Sequence, residues 1–154
     1  FLERASNAHI LMIAPPLDLR EKFFTPHMAF SMSKFGMSMM TLGLTAELRS
    51  KGVAVNALWP RSLISTSGMP DAPEGQDHLR GARKPEIMAD AAHVILTKEA
   101  RDYTGRFLID ELLLAEHGET DFARYAIDED VAPAIGFLST SRAPRLSPPV
   151  EEPA

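Results

Sequence analysis

With 154 residues and a formal charge of -5 at pH 7, the chain is the size of one ordinary domain. The acidic balance, with no Lys/Arg cluster, speaks against a nucleic-acid partner. The absence of cysteine excludes disulfides, thiolate metal sites and a Cys nucleophile, and fits a reducing compartment. No apolar run approaches the ~20 residues of a membrane span, so the expectation is a soluble, intracellular protein. Phe1–Asn7 has neither an initiator Met nor a signal-peptide pattern, and the expectation is a piece of something longer.

Phe1 to Ser6 reads as the tail of a helix stopped at Asn7. His9-Ile-Leu-Met-Ile13 is a short unbroken apolar run, suited to a strand buried on both faces, and Pro15-Pro16 ends it. Leu17 to His27 is a polar loop whose Phe23 and Phe24 suit the rim of a cleft. From Met28 to Ser50 the pattern is helical, with a stripe at Met32, Phe35, Met39, Leu42 and Ala46, and Lys51-Gly52 as the stop. Met37, Met39, Met40 and Leu44 widen that stripe, so the helix reads as buried against a sheet and against a partner subunit. Its methionines read as adaptable core filler rather than as ligands.

Val53-Ala-Val-Asn-Ala-Leu-Trp59 is a second buried strand, closed by Pro60, which completes a βαβ crossover. Arg61 to Arg83, punctuated by Gly68, Pro70, Pro73, Gly75 and Gly81, is long enough to suggest a lid or binding loop. Pro85 opens another helix, Glu86 to about Thr97, with Ile87, Met88, Ala91, Val94 and Ile95 as its stripe. Gly105–Asp110 is a third strand, and Leu112–Glu116 a short helix ended by Gly118. Phe122 and Tyr125 can still pack on the domain. The domain is therefore placed at 1–125, and residues 126–154 read as a mostly disordered Pro-rich tail. The fold class is α/β, with about three parallel strands in a doubly wound, Rossmann-like sheet.

Ligands of such sheets sit at the carboxyl ends of the strands. Those ends, together with the start of the long helix, gather Ala14, Phe30, Lys34 and the Arg61–Thr66 loop. Phe30 and Lys34 lie four residues apart on one helical face. Lys34 alone would read as a snorkelling surface lysine and Phe30 as core filler; their register makes them informative.

Several collinear blocks resemble the C-terminal half of short-chain dehydrogenases/reductases. They are Ile13-Ala-Pro-Pro-Leu17, Lys34-Phe-Gly-Met-Ser38, Val53–Arg61, Arg83–Ala92 and Thr104–Glu111. Within that family the chain is most similar to the branch of hydroxysteroid dehydrogenase-like and bacterial citronellol dehydrogenase-like proteins. The resemblance implies NAD(P)-dependent alcohol/carbonyl interconversion on a small-molecule substrate. It also implies a catalytic Tyr-x-x-x-Lys pair with an accessory Ser. Lys34 matches the Lys, which binds the cofactor ribose and lowers the Tyr pKa. Phe30 occupies the Tyr position and Ala14 the Ser position. Phe cannot ionise and Ala cannot donate a hydrogen bond, so impaired catalysis is expected. The loop Pro60, Arg61, Leu63, Ile64 and Thr66 resembles the family segment that holds the nicotinamide carboxamide.

No two of the nine glycines are separated by a single residue, so the family's Gly-rich dinucleotide turn has no counterpart here. The first strand is accordingly expected to leave an open edge. The alternative function is a non-catalytic subunit forming a homo- or hetero-oligomer through helix 28–50. His9, His27, His78, His93 and His117 show no metal spacing. Asp110-Glu111 reads as a cap for the short helix rather than as a carboxylate pair.

Overall fold

The computed structural model describes residues 1–25, 27–67 and 79–139. A parallel sheet of three strands, ordered β1-β2-β3, forms its centre. The strands are β1 (Ala8–Ile13), β2 (Val53–Trp59) and β3 (Phe107–Ile109). β1 pairs with β2 from Ala8 opposite Val53 to Ile13 opposite Leu58, and β2 pairs with β3 from Ala57 opposite Phe107 to Trp59 opposite Ile109. Helix α1 (Met28–Leu48) links β1 to β2, α2 (Glu86–Leu96) lies between β2 and β3, and α3 (Asp110–Glu116) follows β3 directly.

All seven residues of β2 are buried, as its unbroken apolar run requires. Alternation along β2 sends successive side chains to opposite faces. Leu58 packs with Ile87, Ala91 and Ile95 of α2 and with Leu113, Leu114 and Tyr125. Trp59 packs on the other face with Phe35 of α1, Phe23, Ile109 and Leu138, and Ala57 joins Ala14 and Phe107 under Met12 and Met37. Helices thus cover both faces, the doubly wound arrangement expected of the sequence.

Asn56, buried mid-strand, is satisfied at both ends. Its Nδ2 donates to the Tyr103 carbonyl at 2.8 Å and its Oδ1 accepts the Arg106 N–H at 3.0 Å. That pair fixes the turn entering β3, where Gly105 takes φ 75 and donates its N–H to the Val55 carbonyl at 2.8 Å.

Several local expectations change. The N-terminal segment is a single 3-10 turn, Leu2–Arg4. Asn7 is no helix stop: its side chain donates to the Lys98 carbonyl at 3.1 Å and accepts the Ala100 N–H at 2.9 Å. β1 is only partly buried, because among the described residues it is an outer strand of the sheet. β3 is shorter than Gly105–Asp110, because Asp110 already begins α3. Phe23, expected on a cleft rim, is core.

The expected stripe of α1 holds at Phe35 and fails around it. The buried side chains of the helix are Ser31, Phe35, Ser38, Thr41 and Thr45, while Met32, Met39 and Met40 are 54–57 % exposed. Small hydroxyl residues face the sheet because they bring the backbone close and satisfy their own oxygens. Thr41 donates to the Met37 carbonyl at 3.1 Å, and Thr45 to those of Thr41 at 2.7 Å and Val55 at 3.1 Å.

Residues 126–139, assigned to the tail by composition, pack onto the domain. Leu138 is fully buried, and Ala134–Ser139 runs against the loop after β2, with Ser62 bridged to Ile135 in antiparallel sense. The remainder of the proposed tail, 140–154, and the centre of the proposed lid, 68–78, lie outside the described residues.

Candidate active site at the carboxyl ends of the strands

β1 ends at Ile13, β2 at Trp59 and β3 at Ile109, and the first half of α1 lies over this rim. Lys34 is held there by two features. Its Nζ donates to the Ile13 carbonyl at 3.2 Å, and the same ammonium sits 5.3 Å from the centre of the Trp59 ring, over its electron-rich face. Ser38, one turn on, donates to the Pro15 carbonyl at 2.7 Å and to the Lys34 carbonyl at 3.1 Å. The Pro15-Pro16 break and the small face of α1 therefore fix the lysine together.

Phe30 lies one turn before Lys34 on α1 and is 45 % exposed, so its ring stands at the surface of the site. Its aromatic neighbour is Phe137, at 6.5 Å between ring centres, and Phe137 also meets His27 edge-on at 5.1 Å. Ala14 differs from the other two. It is 1 % exposed, its N–H donates to the Leu58 carbonyl at 3.2 Å, and it packs with Ala57 and Phe107. The structure thus brings Phe30 and Lys34 to one rim and places Ala14 beneath it.

The loop after β2 is fastened from two sides. Ser139 Oγ donates to the Pro60 carbonyl at 2.6 Å, and Gly136 N–H to the Arg61 carbonyl at 3.0 Å. Leu63 N–H donates to the Ala134 carbonyl at 2.8 Å, and Arg61 N–H to Asp110 Oδ1 at 2.9 Å. The N–H groups of Arg61 and Leu63 are thus committed to the fold. Ile64 lies beside Arg83 in a parallel bridge, and Thr66 is exposed. The Arg61 guanidinium pairs with Glu111 at 2.6 Å.

Asp110, expected as a helix cap, is the first residue of α3. Its Oδ1 accepts the N–H groups of Arg61 and Glu111, while Oδ2 is buried without a partner among the described residues. Burial pushes its carboxyl up to about 6 against the pull of those two N–H groups, with Glu111 raising and Arg83 lowering it further. Trp59 Nε1 and Ser62 Oγ are also buried and have no partner among the described residues. His9 and His117 engage the Lys98 and Leu113 carbonyls at 3.0 and 2.9 Å.

Three contributors escaped sequence reasoning: Trp59, which read only as a strand residue; Asp110, which read as a cap; and Phe137, hidden in a Ser/Pro-rich context. The apolar pair Phe137-Leu138 was the one available signal for the last.

The chain is similar to known proteins in sequence and in overall fold. The chain is 46 % identical over 127 residues to hydroxysteroid dehydrogenase-like protein 2 of Xenopus laevis, covering 82 % of this chain and 30 % of that protein. It superposes with TM-score 0.78 and 44 % identity on the crystal structure of a provisionally named dehydrogenase from Xanthomonas campestris, covering 88 % of this chain and 49 % of that one. A short-chain dehydrogenase from Mycobacterium thermoresistibile gives TM-score 0.77 at 35 % identity, over 93 % and 50 % of the two chains. No family model matches the chain. The chain spans 30 % of the Xenopus relative and about half of each structural neighbour. Among the described residues no helix is long and apolar enough to cross a membrane. In sequence and in fold, this chain belongs to the short-chain dehydrogenase/reductase family, matching the C-terminal part of its Rossmann-like domain.

Proposed function

We propose that the chain derives from an NAD(P)-dependent oxidoreductase interconverting alcohols and carbonyls, with its proton-handling groups replaced. The observation that carries this reading is the pairing of a well-held Lys34 with a hydroxyl-free Phe30 one turn away. A positioned general acid typically contributes ~10²–10⁴ in rate, so the chain's own turnover is severely reduced.

The residues present fit one end of the cofactor. The Lys34 ammonium suits a ribose hydroxyl, and the Ile64–Thr66 segment, beside Pro60 and Arg61, suits a carboxamide. NAD(P), when bound, would accept or supply the hydride. No two glycines in the chain are separated by a single residue, so the phosphates have no Gly-rich turn on these residues.

The test is a chimera in which this chain replaces the matching segment of the Xanthomonas campestris protein. Nicotinamide absorbance is followed with a panel of alcohols and aldehydes. Introducing Ala14→Ser with Phe30→Tyr is expected to raise turnover at least a hundredfold. Equal rates before and after the double change would rule the reading out.

A second reading is a non-catalytic subunit that pairs with a related chain through α1. The outward Met32, Met39 and Met40 favour it, since methionine surfaces adapt to partners. Sedimentation of the chain and of its Met39→Lys, Met40→Lys variant decides it: an assembly that survives both changes does not use this face.

A further inference from the structure

The segment Ala134–Ser139 touches the site from two directions. Through Gly136, Ala134 and Ser139 it is hydrogen-bonded to Arg61, Leu63 and Pro60 of the loop after β2. Through its side chains it reaches the other half of the rim. Leu138 is buried against Trp59, the ring beneath the Lys34 ammonium, and Phe137 lies against Phe30 and His27 at the start of α1. Phe137 stays half-buried, with Phe30 45 % exposed beside it. Ring centres 5.1 and 6.5 Å apart, with interplanar angles of 87° and 47°, are ordinary aromatic packing, and Phe137 with Phe30 makes an apolar surface.

We infer that the strap 134–139 forms one wall of the substrate site and that Phe137 is its specificity-determining residue, selecting alcohols or carbonyls with an extended apolar body. The strap cannot lift Phe137 away without breaking three hydrogen bonds to the loop and exposing Leu138. The wall is therefore built into the fold. An apolar tail lying along Phe137 and Phe30 would leave its polar end directed at Lys34, a few ångströms from the Ile13 carbonyl. The inference deepens the oxidoreductase reading and rests on it for the nature of the polar end only.

Trp59 is the only tryptophan of the chain and packs against both Leu138 and Lys34, so its fluorescence reports ligand at this rim. The chain is titrated with 1-octanol and with 1-butanol. Saturable octanol binding, weakened about tenfold by Phe137→Ala while butanol binding is little changed, is the expected result. Phe137→Leu, which keeps the strap apolar should the alanine variant not fold, is expected to lose about threefold. Absence of saturable octanol binding, an unchanged octanol affinity in the variants that fold, or an equal loss for both alcohols would each overturn the assignment. Because binding is read without turnover, a Phe137-dependent octanol preference beside an inactive Ala14→Ser, Phe30→Tyr chimera removes the oxidoreductase reading and leaves the wall. The opposite pair of results removes the wall alone.

Discussion

The Lys34 ammonium lies 3.2 Å from the carbonyl oxygen of Ile13, the last residue of β1, and 5.3 Å from the centre of the Trp59 ring at the end of β2. One side chain on α1 thus reads the ends of two neighbouring strands. Lys34→Met keeps the aliphatic stem and removes the charge. It is expected to cost about 1 kcal/mol in urea denaturation, the scale of a hydrogen bond plus a cation–aromatic contact at a partly open site. It should also shift Trp59 emission. In a chimera repaired at positions 14 and 30, the same change should abolish the recovered turnover. A repaired chimera that tolerates Lys34→Met would mean that the lysine is only structural.

Asp110 sets a pH dependence. Its carboxyl is raised by burial to about 6 in the folded chain, against 3.8 for the ordinary group. A raised carboxylate favours folding below the ordinary value, where both states are protonated, and that contribution is lost as pH rises through about 6. A shift of about two units corresponds to about 3 kcal/mol between pH 4 and pH 7.5. Asp110→Asn keeps an acceptor for the Arg61 and Glu111 N–H groups and cannot ionise. The difference in denaturation free energy between wild type and variant should therefore move in the variant's favour as pH rises from 4 to 7.5. A pH-independent difference would show that the carboxyl titrates normally.

Gly105 is expected to be irreplaceable. Its φ of 75 lies in the left-handed region, and a Cβ there would meet Thr45 Cγ2 at 3.0 Å. Gly105→Ala should destabilise by about 2 kcal/mol, combining backbone strain with displacement of α1. Adding Thr45→Ser, which removes the methyl and keeps the hydroxyl, should return part of that loss. A double-mutant cycle with no coupling would place the whole cost in the backbone.

Leu138 tests whether the strap belongs to the folded unit. It is fully buried among Phe23, Phe35, Trp59 and Ile109, so Leu138→Ala should cost about 3 kcal/mol. A substitution in a disordered tail would leave the urea midpoint unchanged.

These residues also mark how far the sequence could be read. β2 and α2 were legible because burial on both faces, or on a 3.6-residue stripe, demands apolar side chains at those positions. The register of Phe30 with Lys34 was legible because helical spacing alone sets it. On α1, Phe35 was read as buried, but the small hydroxyl face around it was not. Hydropathy takes Met as inward and Ser or Thr as outward, whereas close approach of helix to sheet rewards small side chains whose hydroxyls bond their own helix. The strap escaped because its short apolar run sits among Pro, Gly and Ser, and its order comes from partners some 80 residues earlier, as in the Ser139–Pro60 bond. Asp110 was seen as a helix start. Its buried orphan oxygen depends on the Arg61 loop folding over it, which no local pattern encodes.

The side chains that anchor α1 are Ser31, Phe35, Ser38, Thr41 and Thr45, and position 30 is not among them. Its ring is half in water, with Phe137 as its aromatic neighbour among the described residues. The folded state is therefore nearly indifferent to whether a tyrosine or a phenylalanine stands there. Selection for a stable protein would not distinguish the two side chains at this position. Either ring can replace the other by one substitution without passing through a poorly folded intermediate.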